Sequence, residues 1–377
     1  INHISNMMNQ SKKLFLTKTY TALQNLKRLI DNPGLDSDFV SIDSFTKTIT
    51  LTDYDIVFVD ECSTIDNRTM KRLLEKIDES TQLILAGDIY QIESIDFGNW
   101  FYYAKDIIKT DYANVELLNT WRTDKKELKS LWDEVRCIEP IITEKLAIDG
   151  PFSSKIGEEI FIPQDEDEIV LCLNYDGKFG LNNMNLYFQN ANTKSDVYTW
   201  TEWTFKVGDP VIFLDTKRSS LLYNNLKGKI VDISKNDSAI SFTLDIDTIL
   251  TERQCRNESF EFVDITDFGT RIRLEVIANN DETATDEERI KTIIPFQIAY
   301  AISIHKAQGL EYKSVKIIIP PYNAEKISYS IFYTAITRAK EKLKIYWSAE
   351  TMKSVVESFS KEKVGQHTLE LIEKKLE

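Results

Sequence analysis

The chain has 377 residues, with 46 Lys and Arg against 60 Asp and Glu, a formal net charge of −14, and 42% hydrophobic content. That length allows two or three domains with cores of their own, and no apolar run approaches the ~18 residues a membrane-crossing helix needs. The acidic balance does not exclude nucleic acid, because phosphate affinity depends on local Lys and Arg clusters and not on the sum. Cys62, Cys137, Cys172 and Cys255 form no C-x-x-C pair and suit reduced thiols in a cytosolic protein. His3, His305 and His367 are too scattered for a histidine metal centre.

Ile1, Ile4, Met7 and Met8 stand at helical spacing, so the chain opens as if at the start of a helix. A strand is expected at 14–17, then a helix at 19–31 with Leu23, Leu26 and Ile30 on one face. Strands at 40–45 and 56–60 precede a helix at about 65–78 capped by Thr64 or Asp66, and a strand at 83–87 follows. Such alternation predicts a parallel sheet with helices on both faces. A charged surface helix at 124–137 ends at Glu139-Pro140. A second α/β segment starts near 168, and its helix at 180–190 carries Leu181, Met184, Tyr187 and Phe188. From 203 to about 278 the pattern changes to short alternating strands such as 210–214, 229–233 and 241–244. Gly208-Asp209, Asn224-Asn225 and Asn236-Asp237 punctuate them, which predicts a small inserted β-barrel or β-sandwich. An acidic loop at 279–289, strands near 315–319 and 343–347, and a polar helical tail complete the chain.

The chemistry centres on strand ends. Ile56-Val57-Phe58-Val59 runs into Asp60-Glu61, and the apolar stretch 83–86 runs into Gly87-Asp88-x-x-Gln91. Two buried-type strands that each deliver an acid at the carboxyl end suit a Mg-nucleotide site on a parallel sheet. A surface Asp-Glu pair at a strand end is equally common, so the dipeptide alone does not decide. Further on, His305-Lys306-Ala307-Gln308-Gly309-x-Glu311 combines a ring, a cation, an amide and a flexible Gly, which suits contacts to phosphates and a nucleic-acid backbone. Tyr333-Thr334-Ala335-Ile336-Thr337-Arg338-Ala339-Lys340 is expected to set Thr337 and Arg338 on the exposed edge of a short helix, where Arg338 could stabilise phosphoryl transition-state charge. Trp121-Arg122-Thr123 offers another arginine of that kind.

In this order the motifs resemble those of superfamily 1 helicases. Gly98-Asn99-Trp100-Phe101, Phe205-x-Val207-Gly208-Asp209-Pro210 and Tyr223-Asn224-Asn225-x-x-Gly228 resemble the RecD/TraA (superfamily 1B) branch. The resemblance implies an α/β fold of two RecA-like P-loop NTPase domains with parallel sheets. The first would cover 1–120, a helical linker 121–140, and the second 141–202 with 290–349. An SH3-like small β-barrel would occupy 203–289, and a helical tail 350–377. It further implies an ATP- and Mg²⁺-dependent DNA helicase or translocase acting on single-stranded DNA and ss/ds junctions, 5′ to 3′, in a bacterial or phage-type cytoplasm.

By the same resemblance, Asp60 would hold Mg²⁺, largely through water, while Glu61 activates the attacking water. Gln91 and Arg122 would sense the γ-phosphate, and Arg338 would be the arginine finger. Gly87, Asp88, Gly309 and Glu311 would line the nucleotide. Thr17, Lys18, Thr19, Ser44, Phe45, His305 and Lys306 would belong to the single-strand track, and Trp100 or Phe101 could stack on a base. For Trp100, a packing role is at least equally expected. One departure is plain: residues 1–377 contain no Gly-x-x-x-x-Gly-Lys-Ser/Thr loop. Together with a first residue other than Met, this leads to the expectation of a chain cut just after that loop, which hydrolyses ATP poorly as it stands. A non-hydrolysing nucleic-acid-binding or scaffold protein, and an RNA helicase of the same superfamily, are the alternatives.

Overall fold

The computed structural model describes residues 1–30, 36–47, 53–94, 96, 98–108, 113–193, 195–214, 218–278 and 285–359, with backbone alone at 286–288. Two compact units emerge. One comprises Ile1–Lys155, Ala307–Lys313 and the chain from Ile319 onward; the other comprises Ile156–Lys306 and Ser314–Ile318.

The first unit is built on four parallel strands, β1 (Lys13–Thr17), β2 (Ser37–Ser41), β3 (Ile56–Val59) and β4 (Gln82–Leu85), in the order β2-β1-β3-β4. Strands β1 and β3 are buried along their whole length. That is why they read as continuous apolar runs, since a parallel sheet is covered on both faces. Leu14, Leu16, Val57 and Val59 pack on one side with Ile42, Phe45 and Met70. On the other side Phe15 stacks between Phe39 and Phe58, at centroid distances of 4.5 and 4.9 Å.

The strand expected at 40–45 is corrected here. Strand β2 stops at Ser41, and Ile42–Lys47 is helical. The Ser41 hydroxyl accepts the Ser44 amide at 3.3 Å, as a helix cap does. Ile42 and Phe45, three residues apart, are the buried pair of that helix. Thr19 and Asp66 cap the helices Tyr20–Leu29 and Asn67–Leu74 through the amides of Ala22 and Thr69. The helix Lys126–Cys137 buries Leu128, Leu131, Trp132 and Val135, and its Trp132 indole N–H donates to the Ile336 carbonyl at 3.1 Å. Strand Ala339–Tyr346 pairs in parallel with Ser153–Ser154.

In the second unit, Glu168–Cys172 lies in parallel with Ala301–Ser303 on one edge and with residues 314–317 on the other. The fully buried Lys316 ammonium meets Glu168 at 2.8 Å and the carbonyls of Ile160 and Ile162. The expected short strands are present as an antiparallel six-stranded sheet. Its members are Pro210–Phe213, Lys227–Lys235, Ala239–Ile246, Glu261–Thr266, Gly269–Ile277 and Phe296–Ile298. They enclose a core around Phe205, Phe213, Phe242 and Phe296. The tail beyond Phe359 lies outside the described residues.

Candidate nucleotide site

The carboxyl ends of β1, β3 and β4 form one edge of the first unit, where ligands of open parallel sheets bind. Asp60 leaves β3 with its amide on the Leu16 carbonyl at 2.9 Å, and its carboxylate accepts the Glu61 amide at 2.9 Å. Glu61 then adopts the left-handed conformation, φ 55° and ψ 40°. Such a backbone costs a non-glycine residue about 1–3 kcal/mol and persists only where its surroundings enforce it. Here the Glu61 carbonyl accepts the Thr64 amide and hydroxyl, and the Cys62 amide donates to Ala86 at 2.9 Å. Gly87 leaves β4 tightly; a β-carbon there would stand 2.8 Å from the Phe101 ring and 3.0 Å from the Cys62 nitrogen. Asp88 accepts the Tyr90 amide at 3.0 Å and the Gln91 side-chain amide at 3.1 Å, so Gln91 is folded back over its own turn.

The same unit brings in residues from the far end of the chain. Gly309, at φ 76°, passes so close that a β-carbon would lie 3.2 Å from a Glu61 carboxylate oxygen. Glu311 is clamped between Arg122 Nε and Lys340 Nζ, each at 2.7 Å. Arg122 also donates to the Thr337 carbonyl at 3.0 Å. Arg338 departs from the expected exposed edge: it is 1% exposed, and Thr337 3%. The reason is the apolar helix Tyr329–Ile336, buried from Phe332 to Ile336, which carries the chain inward. Three guanidinium donors are satisfied locally, by the Thr334 carbonyl at 2.9 Å, the Thr337 hydroxyl at 3.1 Å and the Leu310 carbonyl at 3.3 Å. A guanidinium has five N–H groups, so two remain for a ligand.

Electrostatics follow from this packing. Burial, then repulsion from Asp60, pushes the Glu61 carboxyl up to about 7, against the pull of Arg338 and Arg122. Burial also raises Asp60. Burial, then the neighbouring Arg122, lowers Arg338 to about 10, opposed by Glu61, Glu311 and Asp88. At Glu311 burial would raise the carboxyl, but Arg122 and Lys340 outweigh it and the net direction is down. A carboxylate poised near neutrality beside two guanidinium groups can take a proton from water and offset negative charge building on a phosphoryl group. Among the described residues no group of three His, Cys, Asp or Glu could enclose a metal. One or two carboxylates with waters and phosphate oxygens are the usual donors to Mg²⁺, so Asp60, with Glu61 beside it, fits that ion.

The candidates for a single-strand track are placed less uniformly. Thr17 is buried and donates to the Thr19 carbonyl at 2.8 Å, while Thr19 serves as a helix cap. Lys18 pairs with Asp43 at 3.0 Å and Asp66 at 3.7 Å. Ser44 is exposed and accepts the Ser41 hydroxyl at 2.8 Å. The Phe45 ring is in the core beneath the Lys76 ammonium, so it is not a stacking surface. Trp100 donates its indole N–H to the Ile65 carbonyl at 2.7 Å and meets Phe101 edge to face at 5.5 Å, as packing residues do. In the other unit His305 is exposed, and the Lys306 amide donates to the Ser303 hydroxyl at 3.2 Å while burial lowers its ammonium.

Two members of the site were not singled out from sequence. Lys340 completes the Glu311 clamp, and Thr334 accepts the Ile92 amide at 2.9 Å. Both lie in the Tyr333–Lys340 motif, but nothing in the motif tells which side chains turn inward.

Residues 14–142 match a family model described as an AAA domain, and residues 298–346 one described as a UvrD-like helicase C-terminal domain. The RecBCD enzyme subunit RecD of Buchnera aphidicola is 22% identical over 371 residues, covering 89% of this chain and 60% of the relative. The RecD of Mycolicibacterium smegmatis is also 22% identical, over 81% of this chain and 52% of its own. The chain therefore spans little more than half the length of these relatives. In three dimensions it is similar to Bacteroides Pif1 bound to ssDNA, with a TM-score of 0.51 at 14% identity over 99% of this chain and 95% of that one. Pif1 helicase from Candida albicans gives 0.50 at 13%, over 99% and 98%. At such identity the likeness is one of fold: mixed α/β with parallel sheets, consistent with two RecA-like domains.

Proposed function

Starting from a chain that belongs to the RecD-like branch of the superfamily 1B helicases, we propose that it carries the hydrolytic residues of an ATP-dependent DNA helicase acting in the cytoplasm. The observation that carries this reading is the convergence of Asp60, Glu61, Asp88 and Gln91 with Arg122 and Arg338 in one compact unit, where burial and Asp60 raise the Glu61 carboxyl to about 7 against the pull of the two guanidinium groups. Asp60 would hold Mg²⁺ through water, and Glu61 would take a proton from the attacking water. Arg338 would offset transition-state charge with its two uncommitted N–H groups, and Gln91 and Arg122 would respond to the terminal phosphate. Bound Mg²⁺ would neutralise charge on the phosphate oxygens. Single-stranded DNA and ss/ds junctions are the expected partners, with translocation 5′ to 3′. The naming of relatives as a RecBCD subunit and the Pif1 structure with ssDNA support that substrate class and membership of a larger complex.

The test is Mg-ATP hydrolysis by residues 1–377 with and without single-stranded DNA. Stimulation by DNA is expected, at a rate kept low because the chain contains no Gly-x-x-x-x-Gly-Lys-Ser/Thr loop. Glu61→Gln should abolish the stimulated turnover and leave nucleotide binding intact; retained turnover refutes the role given to Glu61. DNA binding without any stimulated turnover would favour a non-hydrolysing nucleic-acid-binding protein, the reading that the same missing loop supports.

A further inference from the structure

Thr334 is fully buried in the helix Tyr329–Ile336. A threonine hydroxyl offers two acceptor lone pairs as well as one donor. This one accepts the amide of Ile92, 242 positions away in sequence, at 2.9 Å. Ile92 closes the turn that starts at Asp88 and carries Gln91, and its own carbonyl accepts the Gln308 side-chain amide at 3.2 Å. The Thr334 carbonyl, in turn, accepts Arg338 Nε at 2.9 Å and the Thr337 hydroxyl at 3.0 Å. One residue thus holds the Gln91 turn by its side chain and the Arg338 guanidinium by its backbone. With Ile92 only 7% exposed, water has little access to replace the hydroxyl.

We propose that Thr334 is a positioning residue of the nucleotide site, coupling the Asp88–Ile92 turn to Arg338 so that the two respond to bound nucleotide together. The assignment rests on the nucleotide-site reading above. It does not make Thr334 catalytic, since the side chain touches Ile92 and not the reacting atoms.

Thr334→Val keeps the shape and removes the hydroxyl; Thr334→Ser keeps the hydroxyl and removes a methyl group. Amide hydrogen exchange is followed over residues 88–92 and 334–338, with and without Mg²⁺ and a non-hydrolysable ATP analogue. In the wild-type chain the analogue should slow exchange in both segments. In Thr334→Val, Ile92 should exchange roughly tenfold faster, the loss of one buried hydrogen bond, and the analogue should protect 334–338 alone. Thr334→Ser should behave as wild type. A joint response retained in Thr334→Val, or lost in Thr334→Ser instead, assigns Thr334 to packing and overturns the proposal. No response in either segment of the wild-type chain overturns the nucleotide-site reading and this assignment with it.

Discussion

Glu61→Gln also tests the electrostatics of the site independently of turnover. The carboxyl stands at about 7 in the folded chain against 4.5 for an ordinary Glu, so folding favours the protonated form. The associated stability is therefore fully present below pH 4.5 and is lost as pH rises through about 7. Integrating between those two values gives a loss of about 2.5 kcal/mol between roughly pH 5 and pH 8. Glutamine has nearly the same shape and no charge, so it removes this slope, while the titrating groups that are not coupled to Glu61 contribute equally to both proteins. Urea unfolding at the two pH values, followed by tryptophan fluorescence, reads the difference; Trp100, Trp132 and Trp347 lie in the same unit as Glu61. Relative to wild type, Glu61→Gln should gain about 2.5 kcal/mol more at pH 8 than at pH 5. A difference between the two proteins that does not change with pH refutes the reasoning. A change of the opposite sign would mean that Arg338 and Arg122 outweigh burial and hold Glu61 below the usual carboxylate range.

Two further substitutions probe the packing that creates this environment. Gly309→Ala imposes a side chain at φ 76° and 3.2 Å from Glu61. A loss of about 1 kcal/mol or more from the backbone is expected, with a displaced Glu61 titration, measurable by thermal unfolding and a carboxyl NMR titration; an unmoved titration contradicts the close approach. In the second unit, Lys316→Met leaves the Glu168 carboxylate buried without its ammonium and should cost about 3–5 kcal/mol. Adding Glu168→Leu to it should recover much of that in urea unfolding, and a double variant no better than the single one would show that the Ile160 and Ile162 carbonyls need the ammonium more than the carboxylate does.

The strands that carry the acids were legible in sequence because a parallel sheet is covered on both faces, so β1 and β3 appear as unbroken apolar runs with polar residues only at their ends. The caps at Thr19 and Asp66 follow from the same local logic. At residues 40–45 the sequence is ambiguous, because Ile42 and Phe45 suit an apolar strand as well as a helix face, and the Ser41 cap and the core they enter decide for the helix. Phe45, expected in the single-strand track, lies in the core instead, a distinction made by what packs over it.

Sequence alone determined which residue types stand at the strand ends and in what order the motifs run, since both follow from local apolar patterning. Tertiary structure decided how those residues behave. Arg338 is buried because the helix before it is apolar and because carbonyls of Thr334 and Leu310 await its donors. Glu61 stands near neutrality because burial and the adjacent Asp60 raise its carboxyl further than Arg338 and Arg122 lower it. Desolvation and charge pairing depend on neighbours hundreds of positions apart, and only the folded chain brings them together.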